Sequence, residues 1–169
     1  MLTLGIGQDR MTATPLQLAN TMALIANEGY YYTPHLVDSI EEEDSEDKVE
    51  LAKFRTKQDV TKISSDIYKV IKEGMHDVTI KGTATGVKLP GHEYCAKTGT
   101  AQIPVAGHYD ADKTIASFIG FAPADNPKFV MLVKLREPET SPWGSETAAP
   151  LWFSIAQDLF YFYGIQPEE

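Results

Sequence analysis

Lys97-Thr98-Gly99-Thr100-Ala101-Gln102, entered through His92-Glu93-Tyr94-Cys95-Ala96, is the stretch around which this chain organises itself. The run from Glu93 to Gln102 predicts a β-strand with Tyr94 and Ala96 pointing the same way, leading to the edge of a sheet. Gly99 carries no Cβ, so a ligand can approach the backbone there, and the Thr100 amide can face a developing oxyanion. Lys97 supplies a fixed positive charge. The hydroxyls of Thr98 and Thr100 can donate to a carboxylate, each charge-assisted bond being worth about 1.5–3 kcal/mol net. Together these groups suit the anionic end of a peptide. The plainer alternative is a Lys-Thr-Gly turn that closes a hairpin and leaves Lys97 solvated.

The 169 residues carry a formal net charge of -9. Much of it is local, between Glu41 and Glu50, which argues against nucleic acid or an anionic membrane surface as partner. Glu41-Glu42-Glu43-Asp44 reads as a solvated loop. The length suits one domain able to bury a core. No apolar run reaches the roughly 18 residues that span a bilayer, and Met1-Leu2-Thr3-Leu4 is not a signal peptide, so the chain as written is expected to be soluble. Cys95, the one cysteine, excludes an internal disulfide, and its strand position predicts a packed small side chain. His35, His76, His92 and His108 lack metal-ligand spacing such as H-E-x-x-H, and neither a metal nor a cofactor is expected. Gly5-Ile6-Gly7 lacks the third glycine of a dinucleotide fingerprint and reads as a turn.

A helix is predicted from Pro15 to about Glu28, with a Thr14/Gln17 capping box, Pro15 at its first position, Gly29 ending it, and Leu18, Met22 and Ile25 as its core stripe. Tyr30 to Ile40 and Val49 to Arg55 read as two extended runs of a peripheral hairpin across the acidic loop. A second helix should run from near Ser65 to Asp77, with Ile67, Val70, Ile71 and Val78 at helical spacing. Gly82-Thr83-Ala84-Thr85-Gly86 either packs closely beside the motif strand or forms an ordinary flexible loop. Three strands follow, Glu93 to Gln102, Thr114 to Phe121 and Phe129 to Arg136, expected as an antiparallel meander with a turn at Asp125-Asn126-Pro127. Ile103 to Asp112 is expected as a loop overhanging the site. A last helix should run from Pro150 to Tyr163 with Leu151, Ile155, Leu159 and Phe162 as its stripe, stopped by Gly164. Trp152, Phe153, Phe160 and Tyr161 widen its apolar surface, so it is either buried on two sides or short of a neighbour. The fold class is α+β: about three main strands packed by helices, plus a small hairpin.

Lys97-Thr98-Gly99 is also the third signature of serine acyl-transferring enzymes that act on penicillin-like substrates. Gly5-Ile6-Gly7-Gln8, Thr14-Pro15-Leu16-Gln17-Leu18-Ala19, Asn27-Glu28-Gly29 and Thr33-Pro34-His35-Leu36-Val37 precede it. Gly74-Met75-His76-Asp77-Val78, Ile119-Gly120-Phe121-Ala122-Pro123-Ala124, Trp143-Gly144 and Ala148-Ala149-Pro150 complete the series. In this order they resemble the transpeptidase domain of class B penicillin-binding proteins, the elongation type fitting best. Two departures stand out. The family's nucleophile motif S-x-x-K and its S-x-N motif, both upstream of Gly-Ile-Gly-Gln, are absent. The one formal S-x-x-K, Ser45-Glu46-Asp47-Lys48, follows the acidic run, where neighbouring carboxylates would keep its lysine protonated.

The resemblance implies a partial serine beta-lactamase/transpeptidase-like fold, with residues 1–169 as the C-terminal portion of a transpeptidase domain. It implies cross-linking of peptidoglycan stem peptides through a serine acyl-enzyme, and acylation by beta-lactams. Lys97 and Thr100 would take catalytic roles, while Thr98, Gly99 and Thr100 would bind substrate. No nucleophile is expected in this chain, which alone is expected to be inactive. Its partners would be stem peptides, beta-lactams, the N-terminal half of the domain and the cell-elongation machinery. The parent would be anchored in the cytoplasmic membrane with this domain in the periplasm or otherwise outside that membrane. A bare sheet edge at Phe129 to Arg136 is expected to pair with a second copy or stay exposed. Two other readings use the same motif: a serine beta-lactamase or beta-lactam sensor, and a non-catalytic module that docks peptides along the strand edge.

Overall fold

The computed structural model describes residues 7, 12–37, 39–41, 48–50, 52–60, 62–86, 89–105 and 108–167. Most of Gly5-Ile6-Gly7-Gln8, the acidic run from residue 42 and Ser45-Glu46-Asp47 lie outside the described residues. Helix α1 spans Pro15–Ala26, with Pro15 in its first turn. Thr14 N donates to Gln17 Oε1 at 2.8 Å and Gln17 N donates to Thr14 Oγ1 at 3.2 Å. This reciprocal box satisfies two amides that a helix start leaves without partners. Met22 and Ala26 are buried and Ile25 packs beside them. Leu18, expected in the same stripe, is exposed, because the helix rolls its Met22–Ala26 side onto the sheet.

Strand β1 (Tyr30–Tyr31) is followed by β2 (Ser39–Glu41) and β3 (Lys48–Glu50), which form the expected antiparallel hairpin with Ile40 opposite Val49. The predicted extension to Arg55 does not hold. The chain turns into a short helix α2, Ala52–Arg55, then strand β4, Gln58–Asp59, which pairs with β1. Alanine, lysine and arginine favour helix there, and Phe54 stacks on His35 with ring centroids 4.7 Å apart.

Helix α3 spans Ser65–Ile80 and buries Tyr68, Met75 and Thr79. Of the predicted stripe, Val78 packs against the core, whereas Ile67, Val70 and Ile71 point outward, with Ile67 51% and Val70 67% exposed. Both faces of this helix carry apolar side chains, and the one bearing the larger Tyr68 and Met75 removes more apolar area from water.

The main sheet is an antiparallel meander in the order β5 (Cys95–Val105), β6 (His108–Ala122), β7 (Phe129–Arg136). Lys97 lies opposite Ile119, Gly99 opposite Ser117 and Thr100 opposite Ala116. The expected overhanging loop from Ile103 to Asp112 is a continuation of the hairpin, pairing Ile103 with Asp110 and Pro104 with Tyr109 after a register shift between Gln102 and Ile103. Proline is tolerated because β5 is an edge strand, where half of the amides have no ladder partner. At the other hairpin, Lys128 N donates to Ala122 O at 2.8 Å.

Helix α4, Ala148–Tyr163, ends on Gly164 with φ 63°, the left-handed cap that favours glycine. It buries Ala148, Ala149, Trp152, Phe153, Ala156 and Phe160. The predicted stripe lies toward the outer face: Leu159 is half-buried, while Leu151 and Ile155 are exposed and Phe162 is 77% exposed. Three alanines let the helix approach the sheet closely, and the aromatic face fills the space between. Trp152 is 0% exposed, donates Nε1–H to Met131 O at 3.0 Å, and lies 5.5 Å from the Phe118 ring. On the opposite sheet face Met22, Ala26 and Met75 pack on Cys95 and Phe121. The sheet is therefore a middle layer, with α4 on one side and α1 and α3 on the other. No helix among the described residues is long and apolar enough to cross a membrane.

Candidate active site on the β5 edge

Strand β5 has one sheet neighbour, β6, among the described residues, so its far margin presents backbone groups without ladder partners. Residues 97–100 sit on that strand. Alternation places Lys97 and Gly99 on the face shared with Cys95, and Thr98 and Thr100 on the face shared with buried Ala96. Lys97 is exposed and its Nζ donates to Thr98 O at 2.8 Å. The ammonium is thus folded back along the strand, and no ion pair of Lys97 forms among the described residues.

Both threonine hydroxyls meet other segments. Thr98 Oγ1 lies 2.8 Å from Thr83 Oγ1, in the small-residue connection after α3. That connection packs beside the motif strand, with Ala84 2% exposed in the α4-side core. Thr100 Oγ1 accepts from Gly144 N at 3.2 Å. Gly144 belongs to a turn fastened to α4: Ala149 N donates to Gly144 O at 2.9 Å, and Thr147 Oγ1 donates to Trp143 O at 2.8 Å.

Two glycines make this proximity possible. A Cβ on Gly99 would run into Ser117 Oγ, whose hydroxyl donates to Gly99 O at 3.4 Å. A Cβ on Gly144 would strike Ser117 O and come within 2.6 Å of Gly99 O. Sequence reasoning missed Ser117 entirely, because only the β5–β6 register places it under Gly99. It quoted Gly144 as part of a pattern without the contact to Thr100.

A cavity of about 230 Å³ lies away from residues 97–100, between the end of α1, α3 and the start of β5, lined in part by Glu28, Lys72, His76, Glu93 and Cys95. Lys72 Nζ pairs with Glu28 Oε1 at 2.9 Å, and His76 Nε2 lies 3.4 Å from Glu93 Oε2. Cys95 Sγ donates to Lys72 O at 3.5 Å. Burial pushes its thiol up to about 12, with Lys72 pulling the other way, so the neutral form is the one present, as suits a packed side chain. No three His, Cys, Asp or Glu side chains among the described residues group as a metal site.

An antiparallel sheet layered between helices, with a Lys-Thr-Gly-Thr edge strand, is the architecture of serine acyl-transferases that recognise penicillin. Residues 1–160 match the family described as penicillin binding protein transpeptidase domain, and the chain belongs to that family. It is 31% identical, over 99% of its length, to stage V sporulation protein D of Bacillus subtilis. It is 34% identical, over 89% of its length, to the peptidoglycan D,D-transpeptidase MrdA of Haemophilus influenzae. It covers 26% and 24% of those two proteins, so the chain spans about a quarter of the length of such relatives. Among solved structures, penicillin-binding protein 3 of Mycobacterium tuberculosis complexed with aztreonam superposes with a TM-score of 0.82 at 28% identity. That match covers 98% of this chain and 38% of the other. Penicillin-binding protein 2 of Pseudomonas aeruginosa matches at 33% identity with a TM-score of 0.67, covering 88% of this chain and 30% of the other.

Proposed function

We propose that this chain is the C-terminal portion of a peptidoglycan D,D-transpeptidase domain and supplies the substrate-anchoring edge of its active site. In that reaction a serine oxygen attacks the carbonyl of the D-alanyl-D-alanine bond, D-alanine leaves, and the acyl group passes to an amine of a neighbouring stem peptide. Beta-lactams acylate the same serine. The nucleophile comes from polypeptide outside these 169 residues. Thr98 and the Thr100 hydroxyl bind the terminal carboxylate, Gly99 lets the substrate backbone lie close, and Lys97 supplies positive charge. The Thr100 amide stabilises the oxyanion, one such donor being worth about 2.7–4 kcal/mol of barrier.

The observation that carries this reading is the placement of both motif hydroxyls on one face of an edge strand, held by Thr83 and Gly144. The share of each relative that the chain covers supports its being part of a larger catalytic unit. We place the parent in the cell-elongation branch, the type that the series of motifs resembles most, and its transpeptidase domain outside the cytoplasmic membrane. Strand β7 has no sheet neighbour besides β6 among the described residues, which supports pairing with a second copy of the chain.

Labelled penicillin with mass-spectrometric mapping tests the proposal. The 169-residue chain alone should take no covalent label, and the full-length gene product should be labelled on a serine outside it. Label on Ser45 would overturn the assignment of the nucleophile. An unlabelled full-length product would overturn the activity, and strictly monomeric light scattering would overturn the β7 pairing.

A further inference from the structure

We propose that Thr83 is a positioning residue of the same site, setting the direction in which the Thr98 hydroxyl donates. This rests on the reading that Thr98 binds an anionic group. The two hydroxyl oxygens are 2.8 Å apart, and either can be the donor. Each hydroxyl has one proton to give and lone pairs to accept with. If Thr98 donates to Thr83, nothing is left for a ligand. If Thr83 donates to Thr98, the Thr98 proton is free to point outward. A carboxylate at the strand edge selects the second arrangement, since two hydroxyls in series ending on an anion polarise one another. Thr83 then strengthens the bond that Thr98 makes while staying behind it.

The connection that carries Thr83 is built to hold it there. Ala84 N donates to Val78 O at 3.1 Å and Thr85 N to Gly82 O at 3.3 Å. A Cβ on Gly82 would come within 2.6 Å of Val78 Cα, so the chain turns against the last helical turn only with glycine at that place. Ala84, next in sequence, is buried against the core that also holds Tyr94 and Ala96. Thr83 is thus pinned from both sides, with its own side chain left at the surface beside the motif strand. Its task is orientation of a donor, which a hydroxyl performs and a methyl group cannot.

The test compares Thr83→Val, which keeps the shape and removes the hydroxyl, with Thr83→Ser, which keeps the hydroxyl, in the full-length gene product. The second-order rate constant for acylation is measured with a fluorescent penicillin that bears its carboxylate and with its methyl ester. Thr83→Val should slow the carboxylate form about fivefold, the weight of one neutral hydrogen bond, and leave the ester within about twofold. Thr83→Ser should restore the wild-type ratio. Equal slowing of both forms, equal slowing by both variants, or no slowing would overturn the positioning role. Lys97→Ala and Thr100→Val in parallel separate the two claims: if they too leave acylation unchanged, or the wild type is not acylated, the site assignment falls and this inference with it. If they slow acylation while Thr83→Val does not, only the inference falls.

Discussion

The amide of Gly144 donates to the hydroxyl of Thr100 at 3.2 Å, joining the turn before α4 to the edge strand across 44 residues of sequence. The joint tolerates no side chain, because a Cβ at position 144 would collide with carbonyl oxygens of Ser117 and Gly99 on two adjacent strands. Backbone at a strand pair cannot move aside as a flexible side chain can. Gly144 therefore ties the packing of α4 on the sheet to the direction of the Thr100 hydroxyl.

Gly144→Ala should cost about 2 kcal/mol by overpacking, lowering the melting temperature of a chain of this size by roughly 4–8 °C. In the full-length product, penicillin acylation should fall more steeply than the loss of folded protein explains, because Thr100 loses its fixed neighbour. Thermal denaturation followed beside acylation at a temperature where both proteins are folded checks this. Wild-type stability in the Gly144→Ala variant would show that the turn can lift without strain.

Trp152→Ala should be among the most damaging single changes in the chain. The indole is fully buried, contacts rings on β6 and β7, and donates to Met131 O at 3.0 Å. Removing a buried tryptophan costs about 3–5 kcal/mol. Phe162→Ser, on the outer face of the same helix, should shift stability by less than about 0.5 kcal/mol. Urea unfolding of the two variants decides which face is the core, and a reversal of their order would reinstate the Leu151–Ile155–Phe162 stripe.

Those helix faces mark where sequence stopped being informative. Strand Phe129–Arg136, the α1 capping box and the β2–β3 hairpin were legible because each has a local signal: a short apolar run bounded by prolines, a Thr-x-x-Gln pair, and two extended runs on either side of an acidic stretch. The burial of Trp152 over Leu151, and of Tyr68 over Ile67, was not, because α3 and α4 each carry two apolar faces and only the sheet decides between them. Residues 97–100 could be picked out because Lys97-Thr98-Gly99 resembles a signature of serine acyl-transferring enzymes, and the extended run leading into them marked a strand edge. Ser117 under Gly99 could not, since it follows from the β5–β6 register, which includes a shift between Gln102 and Ile103 at the start of a segment that the sequence presents as a loop.

Thr14→Ala tests the most local of these devices. The reciprocal bonds of Thr14 and Gln17 satisfy two amides at the start of α1, and losing an N-cap hydroxyl costs about 1 kcal/mol. A matched Thr→Ala change at Thr21, whose hydroxyl merely donates to Gln17 O at 2.9 Å inside the helix, should cost less. Denaturant midpoints with unchanged slopes measure both, and equal losses would mean that the helix start is held by packing rather than by its cap.

The buried groups at the start of β5 predict an alkaline weakness. Burial pushes Cys95 up from 9.0 to about 12 and Tyr94 up from 10.0 to about 12. Below about pH 9 both are protonated in the folded and unfolded chains, and their contribution to stability is fully present. Between pH 9 and 12 the unfolded chain releases these protons while the folded chain keeps them. The unfolded state then binds fewer protons, so unfolding becomes progressively easier as pH rises. The melting temperature should fall through this window, and the fall should be shallower in Cys95→Ala and in Tyr94→Phe when each is compared with its own value at pH 8. In the same range the native thiol should react with iodoacetamide far more slowly than the unfolded chain does, since the thiolate is the reactive form. Parallel pH profiles for wild type and both variants would mean that these side chains ionise in the folded protein as freely as in the unfolded one, and that the packing around β5 is looser than its burial implies.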